Sequence, residues 1–207
     1  MSEEKEFRED FLKKNVGDEE DYESPKSKKG GVLKEVIHFI LYILFVFALT
    51  YLIINYVGQR TQVSGSSMET TLHDGDNLIV EKISYRFTDP KRYDVIVFPF
   101  HYKAKTYYIK RIIGLPGETV LIDNQGTIYI NGEVLNESYG REVIKNPGLA
   151  SEEITLADDE YFVMGDNRNY SSDSRDPSVA NIKRDEIIGR AWVRIYPFDK
   201  IGFIEHQ

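Results

Sequence analysis

Three short stretches carry the residue types best suited to chemistry. The first, VSGSSMETTL over 63–72, packs Ser64, Ser66 and Ser67 around Gly65, just ahead of Met68. The second, YYIKRIIGLPGE over 107–118, sets Lys110 and Arg111 into an otherwise apolar run. The third, GDNRNYSSDSR over 165–175, surrounds the adjacent Ser171 and Ser172 with Asp166, Arg168, Asp173 and Arg175. A serine hydroxyl becomes a useful nucleophile only beside a base. The chain has no cysteine, and none of its four histidines, His38, His73, His101 and His206, stands in a compelling context. A neutral lysine is the remaining conventional base. On an alternating strand Lys110 shares one face with Tyr108 and Ile112, while Ile109 and Arg111 take the other. Apolar neighbours disfavour an ammonium and lower its pKa. An ordinary lysine, with a pKa of about 10.4, is neutral in about one molecule in a thousand near pH 7.5. Lowering that pKa by two to three units takes roughly 3–4 kcal/mol.

Each stretch also has a plainer reading. A serine-rich turn is a common linker, and this one is not the G-x-S-x-G elbow, because Glu69 stands two residues after Ser67. A strand lysine can run its stem along apolar surface and keep its ammonium in water. The third stretch suits either a solvated loop or a buried ion-pair network that braces a site.

Composition narrows the classes further. The chain has 207 residues and a net charge of −8, which argues against holding nucleic acid through its phosphates. Without cysteine there is no thiol nucleophile, thiolate zinc site or disulfide framework, and no two histidines have the spacing of a helical zinc pair. No metal and no cofactor is expected. At 41% apolar and 29% charged residues the chain is expected to fold.

The elements that must position these residues fall into three segments. Residues 1–33 are polar, with the acidic run GDEEDYE over 17–23, and are read as a disordered tail. The run over 36–59 has 24 residues and no Asp, Glu, Lys or Arg, enough to cross a bilayer core as a helix. A buried core helix would rarely be apolar on every face, and a cleavable signal peptide has a shorter apolar region with small residues after it. A transmembrane helix is therefore expected over 34–58. Lys26, Lys28, Lys29 and Lys34 precede it and Arg60 follows, so the positive-inside rule places the N-terminus in the cytoplasm. Residues 59–207 then form an extracytoplasmic β-rich domain of a single-pass cell-membrane protein. Its strand signals are NLIVEKI, YDVIVF, TYYIKRII, ETVLI, EYFVMGD and GRAWVRIYPF, with a hairpin at TIYINGEVL turning on Asn131-Gly132.

In this order the three stretches resemble the bacterial type I signal peptidases, membrane-anchored serine proteases with a Ser–Lys dyad. The family pattern S-M-x-P-T-L corresponds to SMETTL, which points to Ser67 as nucleophile, with its backbone N–H in the oxyanion hole. The pattern K-R-x-x-G-x-P-G-[ED] corresponds to KRIIGLPGE and points to Lys110 as base. The pattern G-D-N-x-x-x-S-x-D-S-R is matched in full by GDNRNYSSDSR. The resemblance implies that Ser171 hydrogen-bonds and orients the lysine, and that Arg111, Asp166, Asp173 and Arg175 form bracing ion pairs. It also implies a mainly β, antiparallel-sheet domain, and removal of signal peptides from exported preproteins at the bilayer. Small side chains are implied one and three residues before the cut.

This chain departs from the family pattern at three positions: Thr70 replaces the usual Pro, Gly65 stands where some members have Ser, and Tyr93 replaces the usual Gly ahead of DVIVF. Thr70 is expected to loosen the turn behind the nucleophile, since proline would fix φ there. It also keeps open a second reading, a non-catalytic membrane-anchored assembly chaperone on the same scaffold. A self-cleaving Ser–Lys repressor fits poorly with an acidic tail and a membrane span. An endoplasmic-reticulum-type enzyme would need a histidine at Lys110.

Overall fold

The computed structural model describes residues 29–53 and 58–206. The apolar run folds as helix α1 (Lys29–Leu52), within which Leu33–Leu52 has a mean hydropathy of 2.1 and no buried residue. It is the one helix among the described residues long and apolar enough to cross a membrane. Its bounds differ from the expected 34–58. Backbone helix extends past the apolar run to Lys29, and Gly58 already belongs to a strand because it pairs with Glu81. Of the segment read as a disordered tail, residues 1–28 lie outside the described residues and residues 29–33 are helical.

The remaining chain is built on two antiparallel sheets. The strands of the larger sheet are β1 (Gly58–Gln62), β2 (Asn77–Glu81), β3 (Val95–Pro99), β4 (Tyr107–Gly114), β9 (Glu160–Met164), β10 (Ile182–Lys183), β11 (Gly189–Tyr196) and β12 (Gly202–Phe203). They run in the order β1-β2-β11-β3-β4-β9-β10, with β12 on β11. The smaller sheet has the order β7-β6-β5-β8, from β5 (Thr119–Ile122), β6 (Ile128–Ile130), β7 (Glu133–Val134) and β8 (Ile154–Thr155). It fills the chain between the second and third chemical stretches. All helices after α1 among the described residues are single 3₁₀ turns.

Period-two alternation explains the larger sheet. On β3, Val95 and Val97 join a core with Val63, Met68, Leu72, Leu78 and Ile109, whereas Ile96 and Phe98 join a second core with Ile112 and Val163. Burial on both faces is why YDVIVF reads as a continuous apolar run rather than an alternating one. A third core, around Val120, Ile122, Ile128, Phe162 and Met164, binds the smaller sheet to β9. The expected hairpin is present: Asn131 and Gly132 take φ of 51° and 79°, the pair of left-handed residues that a two-residue turn between β6 and β7 demands.

Candidate active site

The loop after β1 presents Ser67. The Val63 N–H donates to the Asp76 carbonyl at 2.8 Å, which closes a loop from 63 to 76. Buried Met68 and Leu72 anchor its far side in the core beneath β2 and β3, with the Leu72 N–H donating to the Met68 carbonyl at 2.8 Å. The adjacent Ser67 is thereby held half-buried at the edge of the core. Its backbone N–H makes no hydrogen bond within the described residues. Thr70 is exposed and makes no side-chain hydrogen bond among the described residues, and the preceding peptide bond is cis.

Lys110 sits in the middle of β4, opposite Ile96 on β3. It is 3% exposed, and its Nζ lies 2.8 Å from Ser67 Oγ and 3.0 Å from the Ile109 carbonyl. The Tyr108 ring stands beside it, with the centroid 4.9 Å from Nζ. Burial pushes the ammonium down from 10.5 to about 8, against the smaller opposing pull of Asp173 and Asp166. At pH 7.5 a group with that pKa is neutral roughly a quarter of the time, some hundreds of times more than an ordinary lysine.

Arg111, the next residue, turns to the other face and meets Asp166 in two parallel contacts, Nε–Oδ1 at 2.9 Å and Nη2–Oδ2 at 2.8 Å. Both side chains are fully buried. Arg111 Nη1 donates to the Tyr93 and Glu205 carbonyls and Nη2 to Thr71 Oγ1, while the Tyr139 ring stacks 3.6 Å from the guanidinium carbon. Thr71 Oγ1 in turn donates to Asp166 at 2.5 Å. Arg175 likewise meets both oxygens of Asp173 at 2.8 Å, and Asp173 Oδ2 accepts the Gly165 N–H at 3.0 Å.

Ser171 differs from its expected role. Lys110 donates its hydrogen bonds to Ser67 Oγ and the Ile109 carbonyl, whereas Ser171 Oγ is buried without a hydrogen-bond partner among the described residues. It packs instead against Gly165, where a Cβ would lie 2.4 Å from Ser171 Oγ and 2.4 Å from the Ser67 carbonyl oxygen. Glycine is required there by close approach.

Three further residues, Asn167, Arg168 and Thr71, tie the site together through contacts that their residue types do not mark. The Asn167 backbone N–H donates to the Ser67 carbonyl at 3.0 Å, and its Nδ2 donates to the Ser66 carbonyl at 3.1 Å, so the third stretch clamps the first. Arg168 pairs with Glu137 at 2.7 Å, and Thr71 bridges Arg111 and Asp166. A matching polar residue in a motif marks such a position, but its partner lies far away in sequence. Among the described residues no group of three or more His, Asp or Glu is arranged to hold a metal ion.

A cavity of about 490 Å³ opens over Ser67 and Lys110. Its wall includes Thr61, Val63, Tyr107 and Ile109 as well as Tyr170 and Ser172. A serine in contact with a desolvated lysine, beside an unengaged backbone N–H and an open cleft, is an arrangement with the parts acyl transfer needs.

The family model described as signal peptidase, peptidase S26, matches residues 35–196. A probable signal peptidase I-2 of Synechocystis sp. is 41% identical over 154 residues, covering 72% of this chain and 68% of its own. Signal peptidase I P of Bacillus subtilis subsp. natto is 33% identical over 187 residues, covering 87% and 97%. A signal peptidase I crystal structure from Enterococcus faecalis V583 is 32% identical and covers 50% of this chain and 97% of its own, with a TM-score of 0.40. The chain belongs to the signal peptidase family, peptidase S26, as a bacterial type I signal peptidase, and is a hydrolase of the serine peptidase class.

Proposed function

We propose that this chain removes signal peptides from exported preproteins with a Ser67–Lys110 dyad while anchored in the membrane by α1. Neutral Lys110 accepts the proton of Ser67 as Oγ attacks the carbonyl carbon of the signal peptide's last residue. The developing oxyanion takes a hydrogen bond from the Ser67 backbone N–H. The protonated lysine then gives its proton to the leaving amine, the peptide bond breaks, and the mature chain departs. Water, deprotonated by the same lysine, cleaves the ester and restores the hydroxyl.

The observation that carries the reading is the 2.8 Å contact between an almost wholly buried Lys110 and Ser67 Oγ. Oxyanion, leaving group and base thus meet where burial already keeps the base near neutrality. The cleft also suits substrates with small residues before the cut. A side pocket of about 40 Å³ shares Thr61 and Tyr107 with it and is closed by Val80, Val97 and Ile188. Arg111–Asp166 and Asp173–Arg175 brace the two strands and the loop, and Ser171 packs behind the nucleophile. By the positive-inside rule, Lys26, Lys28, Lys29 and Lys34 on the N-terminal side of the apolar run support a cytoplasmic N-terminus and a dyad on the extracytoplasmic face, where a substrate's own apolar segment shares the bilayer.

The test is preprotein cleavage by the full chain in detergent or vesicles, with Ser67→Ala and Lys110→Ala variants. Each is expected to lose activity at least about a thousandfold. Full activity in either variant removes the dyad. A non-catalytic scaffold would need no such contact, and an acylating inhibitor that labels Ser67 separates the two readings.

A further inference from the structure

Among the described residues only two charged side chains line the catalytic cleft, Lys110 and Lys105, and no acid does. The acids of the neighbouring loops are engaged elsewhere. Asp74 accepts the Gly65 N–H at 2.8 Å, Glu69 meets Arg141 at 2.8 Å, and Asp166 and Asp173 hold Arg111 and Arg175. The cleft is therefore a cationic spot on a domain in which acids outnumber bases. In the reactive form Lys110 is neutral, which leaves Lys105 as the lasting charge on that wall.

Lys105 ends the turn between β3 and β4, which is closed by the Phe100 N–H donating to the Thr106 carbonyl at 2.9 Å. It is exposed, and its ammonium has no hydrogen bond or ion pair among the described residues. Its φ of 58° lies in the left-handed region, where glycine or asparagine would sit with less strain than a lysine. A strained backbone position that carries an unpartnered charge into a substrate cleft points to use of that charge. From Lys105 to Lys110 the chain reaches at most about 18 Å, the span of five extended residues. We propose that Lys105 is a specificity-determining residue that pairs with a carboxylate side chain, Asp or Glu, lying within about five residues of the scissile bond in the substrate. The proposal rests on the Ser67–Lys110 reading, which makes this cleft the path of the polypeptide. An ion pair at so exposed a site sorts among substrates and does not decide whether cleavage occurs. A lysine or arginine of the substrate at the same place meets a like charge and is disfavoured.

The experiment uses the full-length chain in detergent and fluorogenic peptides that share one signal segment. Asp, Asn or Lys is placed in turn at each position up to five residues either side of the cut, sparing the two small residues before it. At one position or more, wild-type kcat/KM is expected to be about two- to fivefold higher with Asp than with Asn, the range an exposed ion pair supports. The preference should shrink towards unity in 1 M salt, where charges are screened beyond about 3 Å. In Lys105→Asn, which suits the left-handed backbone, it should vanish, with the Asn peptide's kcat/KM within about twofold of wild type. In Lys105→Glu the order should invert, so that the Lys peptide is favoured. Lys103, exposed on the same turn but absent from the cleft wall, is the control, and Lys103→Asn should keep the preference. Three results overturn the inference: no Asp preference at any position, a preference that survives Lys105→Glu, or an equal loss in Lys103→Asn. Binding of the same peptides to Ser67→Ala, read by fluorescence anisotropy, should show the same order without any chemistry. Cleavage that persists in Ser67→Ala would instead sink the dyad, while the order in binding stands or falls with Lys105.

Discussion

Lys110 and Arg111 are neighbours on β4 that turn their charges to opposite faces of one sheet, and only Arg111 meets a carboxylate in direct contact. Arg111 keeps its charge in a two-point contact with Asp166. Lys110 has a hydroxyl, a carbonyl and a ring around its amine, with Asp166 and Asp173 acting only at a distance. An ammonium there pays the desolvation cost without a salt bridge to offset it, which is why burial outweighs the two acids.

The first prediction follows from that imbalance. The active form holds Lys110 neutral, so kcat/KM should climb about tenfold per pH unit and level off near the lysine's pKa of about 8. Stability carries the same signature. The unfolded chain keeps this proton up to about pH 10.4, whereas the folded chain releases it near 8, so unfolding takes up a proton between them and stability rises with pH across that window. Below it the buried ammonium costs about 3 kcal/mol. Lys110→Met should therefore be inactive yet more stable at pH 7, by up to about that amount, with the rise between pH 8 and 10 flattened. Denaturant unfolding in detergent at pH 7 and pH 10 measures both. A Met variant less stable than wild type at pH 7 contradicts the account.

The Arg111–Asp166 pair should behave in the opposite way. Removing either partner strands a charge that is fully buried, so Arg111→Met and Asp166→Leu should each cost about 3–5 kcal/mol. The double variant should recover much of the loss, since apolar replacements leave nothing unpaired except the Thr71 hydroxyl and two carbonyls. A double-mutant cycle of unfolding free energies checks this. Strictly additive losses would mean that the two residues do not act as a pair.

Gly165 tests the close packing behind the nucleophile. In Gly165→Ala the new methyl meets the Ser67 carbonyl and Ser171 Oγ at 2.4 Å each, and the Ser67 carbonyl belongs to a backbone clamped by Asn167. The nucleophile loop must shift, and a displacement of about 1 Å can cost about a hundredfold in rate. The expected result is a drop in kcat of that order with KM little changed and a stability loss of about 1–3 kcal/mol. Steady-state kinetics on a short substrate, with a melting curve alongside, separates the two effects. Unchanged kcat would show that the loop absorbs the methyl.

Much of this architecture is written locally in the chain. Runs of β-branched and aromatic residues mark β2 to β6, β9 and β11 because each is buried on at least one face, and Asn131-Gly132 marks its hairpin because both residues must take positive φ. Strand β1 is different: GQRTQ contains no large apolar residue, and it is a strand because β2 offers it an edge. Alternation alone placed Lys110 and Arg111 on opposite faces. It does not bring Ser67 to Lys110 across 43 residues, and that pairing came from a resemblance of motifs. The role inferred for Ser171 came from the same resemblance, and here its hydroxyl makes no bond to the lysine. Tyr93 shows why single-position patterns mislead. Its φ is 71°, a conformation natural to the family's usual glycine, but its ring packs on Tyr139 at 5.4 Å and its carbonyl takes Arg111. Such compensation comes from residues that only the fold brings near.

The C-terminal end of the domain carries the last prediction. His206 accepts the Val95 N–H at Nδ1, 3.3 Å away, and donates from Nε2 to the Ala191 carbonyl at 2.9 Å, an arrangement that only the neutral ring satisfies. Burial pushes its pKa below 6.5. Asp94 and the Ala191 carbonyl pull upward against it, and Arg190 and Arg111 push further down. The preceding residue, Glu205, gives its carbonyl to Arg111, so the segment that holds the imidazole also holds the guanidinium. As pH falls through about 6.5 the unfolded ring gains a proton that the folded ring refuses, so stability drops until the folded pKa is reached. Carboxylates elsewhere lower stability over the same range, and His206→Gln isolates the imidazole's share because it keeps a donor for Ala191 and cannot titrate. The melting temperature of the wild type should fall more steeply than that of His206→Gln between pH 7 and pH 5. Parallel curves would mean that the ring takes its proton in place, accommodated by Asp94 at 3.5 Å.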